Sequence, residues 1–246
     1  MSNASIGCWI TLNNCSVAEI LADAGFDWLC VDMEHTVTDY LEAQQIITTI
    51  QGKGLKAFVR VGENNTRIIK RVLDAGADGI IVPSVNSAKE AQKAVDSVKY
   101  PPFGKRGVGL ARSQSYVFGF ESYRDNVSKE IKLIVQIEHI NAINELEAIL
   151  QTDGVDGTFI GPYDLSGSIG KPGNWDDPEV RKALLVYEET VKKYDKWIGF
   201  HVIQPDYNLV NEKIKKGYNF IAFSLDVLFL GTLVRNQVAE LKKSNK

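Results

Sequence analysis

The sequence predicts an α/β protein folded as a single closed (β/α)8 TIM barrel, and three observations carry that prediction. Eight short apolar runs alternate with eight amphipathic stretches from one end of the chain to the other, the alternation that builds parallel βα units. Four junctions repeat a glycine just past a helical pattern and just before a strand pattern: Gly25-Phe26-Asp27, Gly76-Ala77-Asp78, Gly154-Val155-Asp156 and Gly217-Tyr218-Asn219. Glycine there supplies the left-handed residue that ends a helix. Finally, the 246 residues show no linker, low-complexity tract or composition shift. Residues 1–246 therefore read as one domain of the size such a barrel needs.

Taken in order, the run at 6–12 leads into a helical pattern at 16–24 that stops at Gly25. The run at 27–33 is almost continuously apolar, as a strand buried on both faces should be, and precedes a helix at 39–53. Strand 56–61, helix 66–75, strand 78–83 and helix 87–98 repeat the unit twice more. Residues 100–130 open on Pro101-Pro102, are rich in Gly, Arg and Ser, and read as a long βα excursion. Strand 132–138 with helix 141–150, strand 156–160 with helix 178–194, strand 197–202 with helix 206–216, and strand 219–224 with helix 226–243 complete the count. A doubly wound open sheet is the alternative, but its Gly-rich phosphate turn is missing. The nearest match, Gly107-Val108-Gly109-Leu110-Ala111-Arg112, lacks the third glycine and follows a loop. With no Walker pattern either, no nucleotide cofactor is expected.

Composition excludes several function classes. Net charge is −3 and no basic cluster appears, so neither a nucleic-acid footprint nor a polybasic membrane anchor is expected. The longest apolar stretch, 225–234, contains Asp226 and falls far short of the ~20 residues that span a bilayer. Met1 to Ser5 lack a basic and apolar export signal, so a cytoplasmic protein is expected. Cys8, Cys15 and Cys30 are odd in number and lack a C-x-x-C spacing, which argues against a disulfide framework or a zinc site.

In a barrel of this kind chemistry lies at the C-terminal strand ends. The second strand runs into Asp32-Met33-Glu34-His35, the third ends at Arg60, the fifth at Gln136-Ile137-Glu138, and the sixth runs into Gly161-Pro162-Tyr163-Asp164. Alternation puts Asp32 with Glu34, Phe58 with Arg60, and Gln136 with Glu138 on the barrel side, leaving Leu133, Val135 and Ile137 for the helices. Charges at the mouth of a buried sheet cost free energy unless paired or metal-bound. Glu138 and Asp164 offer the two hard oxygen ligands that suit Mg²⁺ or Mn²⁺ better than zinc; the alternative is that each pairs with an arginine. His35 suits a general base, or is a solvated loop residue. His139 is expected to open a helix, and His201 ends the seventh strand. Arg60 fits recognition of a carboxylate or an enolate, or pairs with Asp32 or Glu34. Asp74 sits in the last turn of the third helix, where the dipole disfavours an acid, though Asp23-Ala24-Gly25 repeats its triplet and leaves a turn role open. No lysine ends a predicted strand, which disfavours imine chemistry; carbon–carbon chemistry here would need a metal as electron sink.

Several of these segments resemble the HpcH/HpaI aldolases, metal-dependent pyruvate aldolases on a TIM barrel. They are Asp27 through His35, Val59-Arg60, Tyr100-Pro101-Pro102-Phe103-Gly104-Lys105-Arg106-Gly107-Val108-Gly109, Gln136-Ile137-Glu138, and Gly161-Pro162-Tyr163-Asp164-Leu165-Ser166. The resemblance runs in order over nearly the whole chain. It implies reversible retro-aldol cleavage of a 4-hydroxy-2-oxo acid, either a 2-keto-3-deoxy sugar acid or a diacid, to pyruvate and an aldehyde. Glu138 and Asp164 would hold a divalent ion, Mg²⁺ or Mn²⁺ with Co²⁺ a further candidate, and no organic cofactor is implied. Gln136 and the backbone from Gly161 through Tyr163 and Asp164 would hold substrate. Arg60 would stabilise the enolate and His35, with Asp32 close by, would accept the proton. Asp74 of a neighbouring subunit would raise the basicity of His35, in a hexamer built as a trimer of dimers with the helix at 226–243 swapped onto a neighbour.

Three departures accompany the resemblance. The chain begins almost at strand one without a leading helix to close the barrel's lower end. Tyr163 stands where a small residue is more usual, and 110–116 is only loosely similar. An acyl-CoA lyase, for example one acting on malyl-CoA, is an alternative that would need a groove for adenine and pantetheine. For that groove the sequence shows no basic or aromatic cluster. A barrel with a decayed site is the third reading.

Overall fold

The computed structural model describes residues 4–244. Eight parallel strands close in sequence order, with β8 returning to β1. The first half is β1 (Ser5–Ile10), α1 (Cys15–Asp23), β2 (Trp28–Asp32), α2 (Tyr40–Gly52), β3 (Lys56–Arg60), α3 (Thr66–Asp74), β4 (Gly79–Val82) and α4 (Ala88–Val98). Two short turns, α5 (Phe120–Ser122) and α6 (Ser128–Glu130), precede β5 (Lys132–Ile137), α7 (Ile140–Asn144) and α8 (Leu146–Leu150). The circuit ends with β6 (Gly157–Ile160), α9 (Pro162–Ser168), α10 (Pro178–Val191), β7 (Trp197–Val202), α11 (Tyr207–Lys216), β8 (Phe220–Leu225) and α12 (Asp226–Ser244). Among the described residues no helix is long and apolar enough to cross a membrane.

Local chemistry explains where the elements begin and end. Asn14, Asp39, Asn65, Ser87, Asp177 and Asp206 each cap a helix through the side chain, and Asp39 forms a full capping box with Glu42. The four repeated glycines sit at φ of +93°, +108°, +92° and +101°, the left-handed stop that their spacing implied.

Every expected strand is present, with ends shifted by no more than two residues. Three expectations need correction. The helix expected at 141–150 is two short helices broken at Glu145. α9 fills what had read as loop, a single short helix started by Pro162 at its first position. The segment 100–130 is not a βα excursion. It follows α4 and leads into β5, so it hangs at the pole where strands begin, opposite the mouth.

That segment is anchored by two arginines. Arg106 is fully buried between the rings of Tyr100 and Tyr123 and pairs with Asp74 at 2.8 Å. Arg112 donates to the Ala75 carbonyl and to Gln51.

Two cores follow from strand alternation. Leu133, Val135 and Ile137 face outward into the larger core against the helices. Trp9, Trp28, Cys30, Phe58, Ile134, Phe159 and Phe220 fill the barrel interior. Its lower layer is a stack in which Phe220 lies between Trp28 (4.2 Å, 11°) and Trp197 (5.1 Å, 12°). Glycines on other strands make room for these rings. A Cβ at Gly7 would fall 2.0 Å from the Trp28 ring, and one at Gly79 would fall 2.2 Å from Phe58.

Candidate active site

The strand ends bring most of the expected residues together. Asp32 and Arg60 are register partners on adjacent parallel strands and share the inner face, which places their side chains for a two-pronged pair. Arg60 donates Nε to Asp32 Oδ1 at 2.9 Å and Nη2 to Oδ2 at 2.7 Å. Its Nη1 lies 3.1 Å from Glu34 Oε2, and its plane lies over Trp9 at 4.5 Å. A guanidinium has five N–H donors, and Asp32 takes only two of them, so donors remain for a ligand. Asp32 Oδ1 also accepts from the backbone N–H of Glu34 and of His35, which folds the turn carrying both.

His35 is exposed, and its Nε2 lies 3.6 Å from Glu34 Oε2. Within the chain, then, Glu34 pairs with the imidazole, while both Asp32 oxygens are committed to Arg60. Burial pushes the Glu34 carboxyl up to about 7; Arg60 opposes the shift, and the negative charges of Glu138, Asp32 and Asp164 add to it. The mouth is therefore a net acidic pocket, with Arg60 set against the carboxylates of Asp32, Glu34, Glu138 and Asp164.

Glu138 stands one residue past β5 and is buried. Its Oε1 accepts from the Ser84 N–H at 2.7 Å and the Ser84 hydroxyl at 2.9 Å, and its Oε2 accepts from Gln136 Nε2 at 2.8 Å. Ser84 takes φ +52° to make both contacts, a left-handed conformation that costs a non-glycine residue on the order of 1 kcal/mol or more. Gly161 is required for a different reason: a Cβ there would lie 2.9 Å from Glu138 Oε2. Asp164 is exposed in the first turn of α9, and no described residue donates a hydrogen bond to its carboxylate.

Among the described residues no group of three or more His, Cys, Asp or Glu converges as a ready metal centre. The donor set nevertheless suits a hard ion. Glu138 is oriented, Asp164 is free, and Gln136 Oε1 is buried with no hydrogen-bond partner. Two carboxylates leave the remaining positions for water and substrate, as Mg²⁺ and Mn²⁺ prefer.

Sequence reasoning missed two residues here and left a third open. Ser84 follows Val82-Pro83 and carries no motif. Trp9 reads as an ordinary core residue. His201 joins Trp9, Arg60 and Gln136 in lining the mouth, with Nε2 3.2 Å from the Ser224 carbonyl. Burial holds its ring down to about 4, so it is neutral at pH 7. In the tautomer that donates to Ser224, Nδ1 remains an acceptor. His139 caps α7, as its place in the sequence suggested. Asp74 is not at the mouth of its own barrel: it ends α3 at the opposite pole, paired with Arg106.

From the mouth a cleft of ≈ 740 Å³ runs outward between α10 and α11. Tyr163 stands in its wall with its ring edge-on to Trp175 at 4.5 Å. Farther out it is lined by Phe200, Tyr218, Lys213 and Lys216. Folding thus assembles the mixed basic and aromatic cluster that the linear sequence had not disclosed, because its members come from different elements.

The HpcH/HpaI aldolase/citrate lyase family model matches residues 5–231. A hydroxypyruvate/pyruvate aldolase of Roseobacter denitrificans is 34% identical over 96% of this chain and 92% of its own. A 2-keto-3-deoxy-L-rhamnonate aldolase of Escherichia coli is 32% identical over 96% and 88%. An HpcH/HpaI aldolase/citrate lyase family protein from Burkholderia cenocepacia superposes with a TM-score of 0.90 at 32% identity, covering 98% of this chain and 95% of the other.

Proposed function

The chain belongs to the HpcH/HpaI aldolase/citrate lyase family and is a carbon–carbon lyase, and on that footing we propose that it cleaves 4-hydroxy-2-oxo acids to pyruvate and an aldehyde. The observation that carries this reading is the set of strand-end groups: a Glu138 oriented by Ser84, an Asp164 to which no described residue donates, and Arg60 held over Trp9 with N–H groups to spare.

Glu138 and Asp164 would hold a divalent cation, Mg²⁺ or Mn²⁺, which when bound supplies Lewis-acid polarisation of the 2-oxo group. Gln136 and the backbone of Gly161 through Asp164 orient the 2-oxo acid. His35 takes the proton of the C4 hydroxyl; the C3–C4 bond breaks, the aldehyde leaves, and the electron pair becomes the enolate of pyruvate. Arg60 places its free N–H groups where that charge develops, a preorganised term worth several kcal/mol in comparable sites. A proton from solvent at C3 completes pyruvate, and His35 releases the proton it took to solvent. Asp32 fixes Arg60 and the turn that carries His35. Asp74 reaches a His35 only in a second subunit, which fits a hexamer in which α12 crosses to a neighbour.

The test is pyruvate release from a panel of 4-hydroxy-2-oxo acids, with chelator and after adding back Mg²⁺, Mn²⁺ or Co²⁺. Chelator should abolish turnover; Glu138→Ala should lose saturable metal binding, and His35→Ala should keep it while cleaving slowly. Turnover indifferent to chelator would sink the metal mechanism. The outer cleft keeps cleavage of an acyl-CoA thioester such as malyl-CoA as the second reading. Turnover of malyl-CoA with none of the keto acids would select it.

A further inference from the structure

The outer half of the cleft contains a cation without an evident structural reason. Lys213, on α11, is only half-exposed. Its ammonium sits 3.7 Å over the Phe200 ring and 5.7 Å from that of Tyr218. No described carboxylate lies within ion-pairing distance of it. The nearby Glu188 is already satisfied, accepting from the Tyr218 hydroxyl at 3.0 Å and facing Lys216 at 3.8 Å. Burial, with Lys216 alongside, pushes the Lys213 ammonium below its usual value. A half-buried charge with no carboxylate partner costs the fold part of its hydration. The aromatic faces reduce that cost but do not neutralise the charge.

The same cleft begins at Arg60 and Gln136, where the reacting end of a 2-oxo acid would sit. Between the two ends Leu184 of α10 and Leu209 of α11 contribute apolar lining. A ligand that fills this space has one polar end at the mouth, a carbon chain, and a second charge of negative sign.

We propose that Lys213, with Lys216 beside it, forms a subsite for a terminal anion, a carboxylate or a phosphate, at the far end of the aldehyde half of the substrate. This rests on the aldolase reading for what occupies the mouth, while the subsite itself rests on Lys213 and the cleft. It makes specificity a matter of charge at the distal end, and it leaves Tyr163 and Trp175, packed edge to face, as aromatic lining beside the chain.

The experiment has two arms. In the first, aldehydes are condensed with pyruvate in charged and neutral pairs: 5-oxopentanoate against pentanal, and glyceraldehyde 3-phosphate against glyceraldehyde. Lys213→Met keeps the stem over Phe200 and removes the charge. It should raise KM for the charged member of a pair about tenfold, the loss expected of one charge-assisted contact, and leave the neutral member unchanged. Lys213→Arg should retain most of the preference. Whichever pair shows the effect identifies carboxylate or phosphate. In the second arm, glutarate and inorganic phosphate are titrated into the enzyme by calorimetry. Saturable binding of one of them, weakened about tenfold in Lys213→Met, is expected. Equal effects on charged and neutral aldehydes, or anion binding indifferent to Lys213, would overturn the subsite. Anion binding that depends on Lys213, with no condensation of any aldehyde, would uphold the subsite and overturn the aldolase reading instead.

Discussion

His201 shows how a single side chain can report on the barrel mouth. Its ring titrates near 4 in the folded chain because burial disfavours the cation, whereas an unfolded histidine titrates near 6.5. Above pH 6.5 both states are neutral and nothing is lost. As pH falls through that value the unfolded chain takes up a proton that the folded one refuses, so stability drops until about pH 4. The shift corresponds to at most about 3 kcal/mol. Comparing urea unfolding of the wild type with His201→Gln at pH 7 and pH 4.5 isolates the effect: the variant should lose less stability on acidification. Ser84 makes a second point at this scale. The hydroxyl and N–H that fix Glu138 depend on a positive φ, which no pattern in the linear sequence announces.

Elements, by contrast, were largely legible. A parallel strand covered on both faces must be apolar throughout, and β2 and β4 are buried along their whole length. Glycine stops at Gly25, Gly76, Gly154 and Gly217 gave the phase of the repeat. Misreadings arose where local signals are weakest: α9 has seven residues, too few for a period to show, and Glu145 breaks a helix that periodicity alone would continue. The excursion was misplaced because loop composition says nothing of which pole a loop hangs from. Connectivity does, since a chain leaving a helix returns to the strand starts. Packing inside the strands was invisible too, although it makes a firm prediction. Gly79→Ala would set a methyl 2.2 Å from the Phe58 ring, in a layer where Phe58 and Phe220 already touch at 5.2 Å. Overpacking of that kind costs about 1–3 kcal/mol, and thermal unfolding should show Gly79→Ala well below the wild type while Gly52→Ala, with open space around it, stays close to it.

At the scale of the whole molecule, the exposed face of α12 and the proposed role of Asp74 can both be tested as questions of assembly. Leu230, Leu233, Val234 and Leu241 are each more than half exposed along α12, an apolar stripe longer than a solitary surface helix keeps in water. Light scattering should find an oligomer that the double change Leu230→Glu with Leu241→Glu dissociates. If Asp74 serves a neighbour's His35, mixing the impaired Asp74→Asn and His35→Ala chains should give more activity than the two contribute separately, because exchanged subunits then assemble sites with both groups intact. No gain after exchange would confine Asp74 to holding Arg106.

The ring stack at the lower end of the barrel has an optical consequence. Of the four tryptophans, Trp28 and Trp197 clasp Phe220 at the floor, whereas Trp9 and Trp175 line the cleft. Emission from the chain is thus divided between two environments. A ligand in the cleft meets Trp9 and Trp175 directly, so quenching of that pair reports occupancy of the mouth.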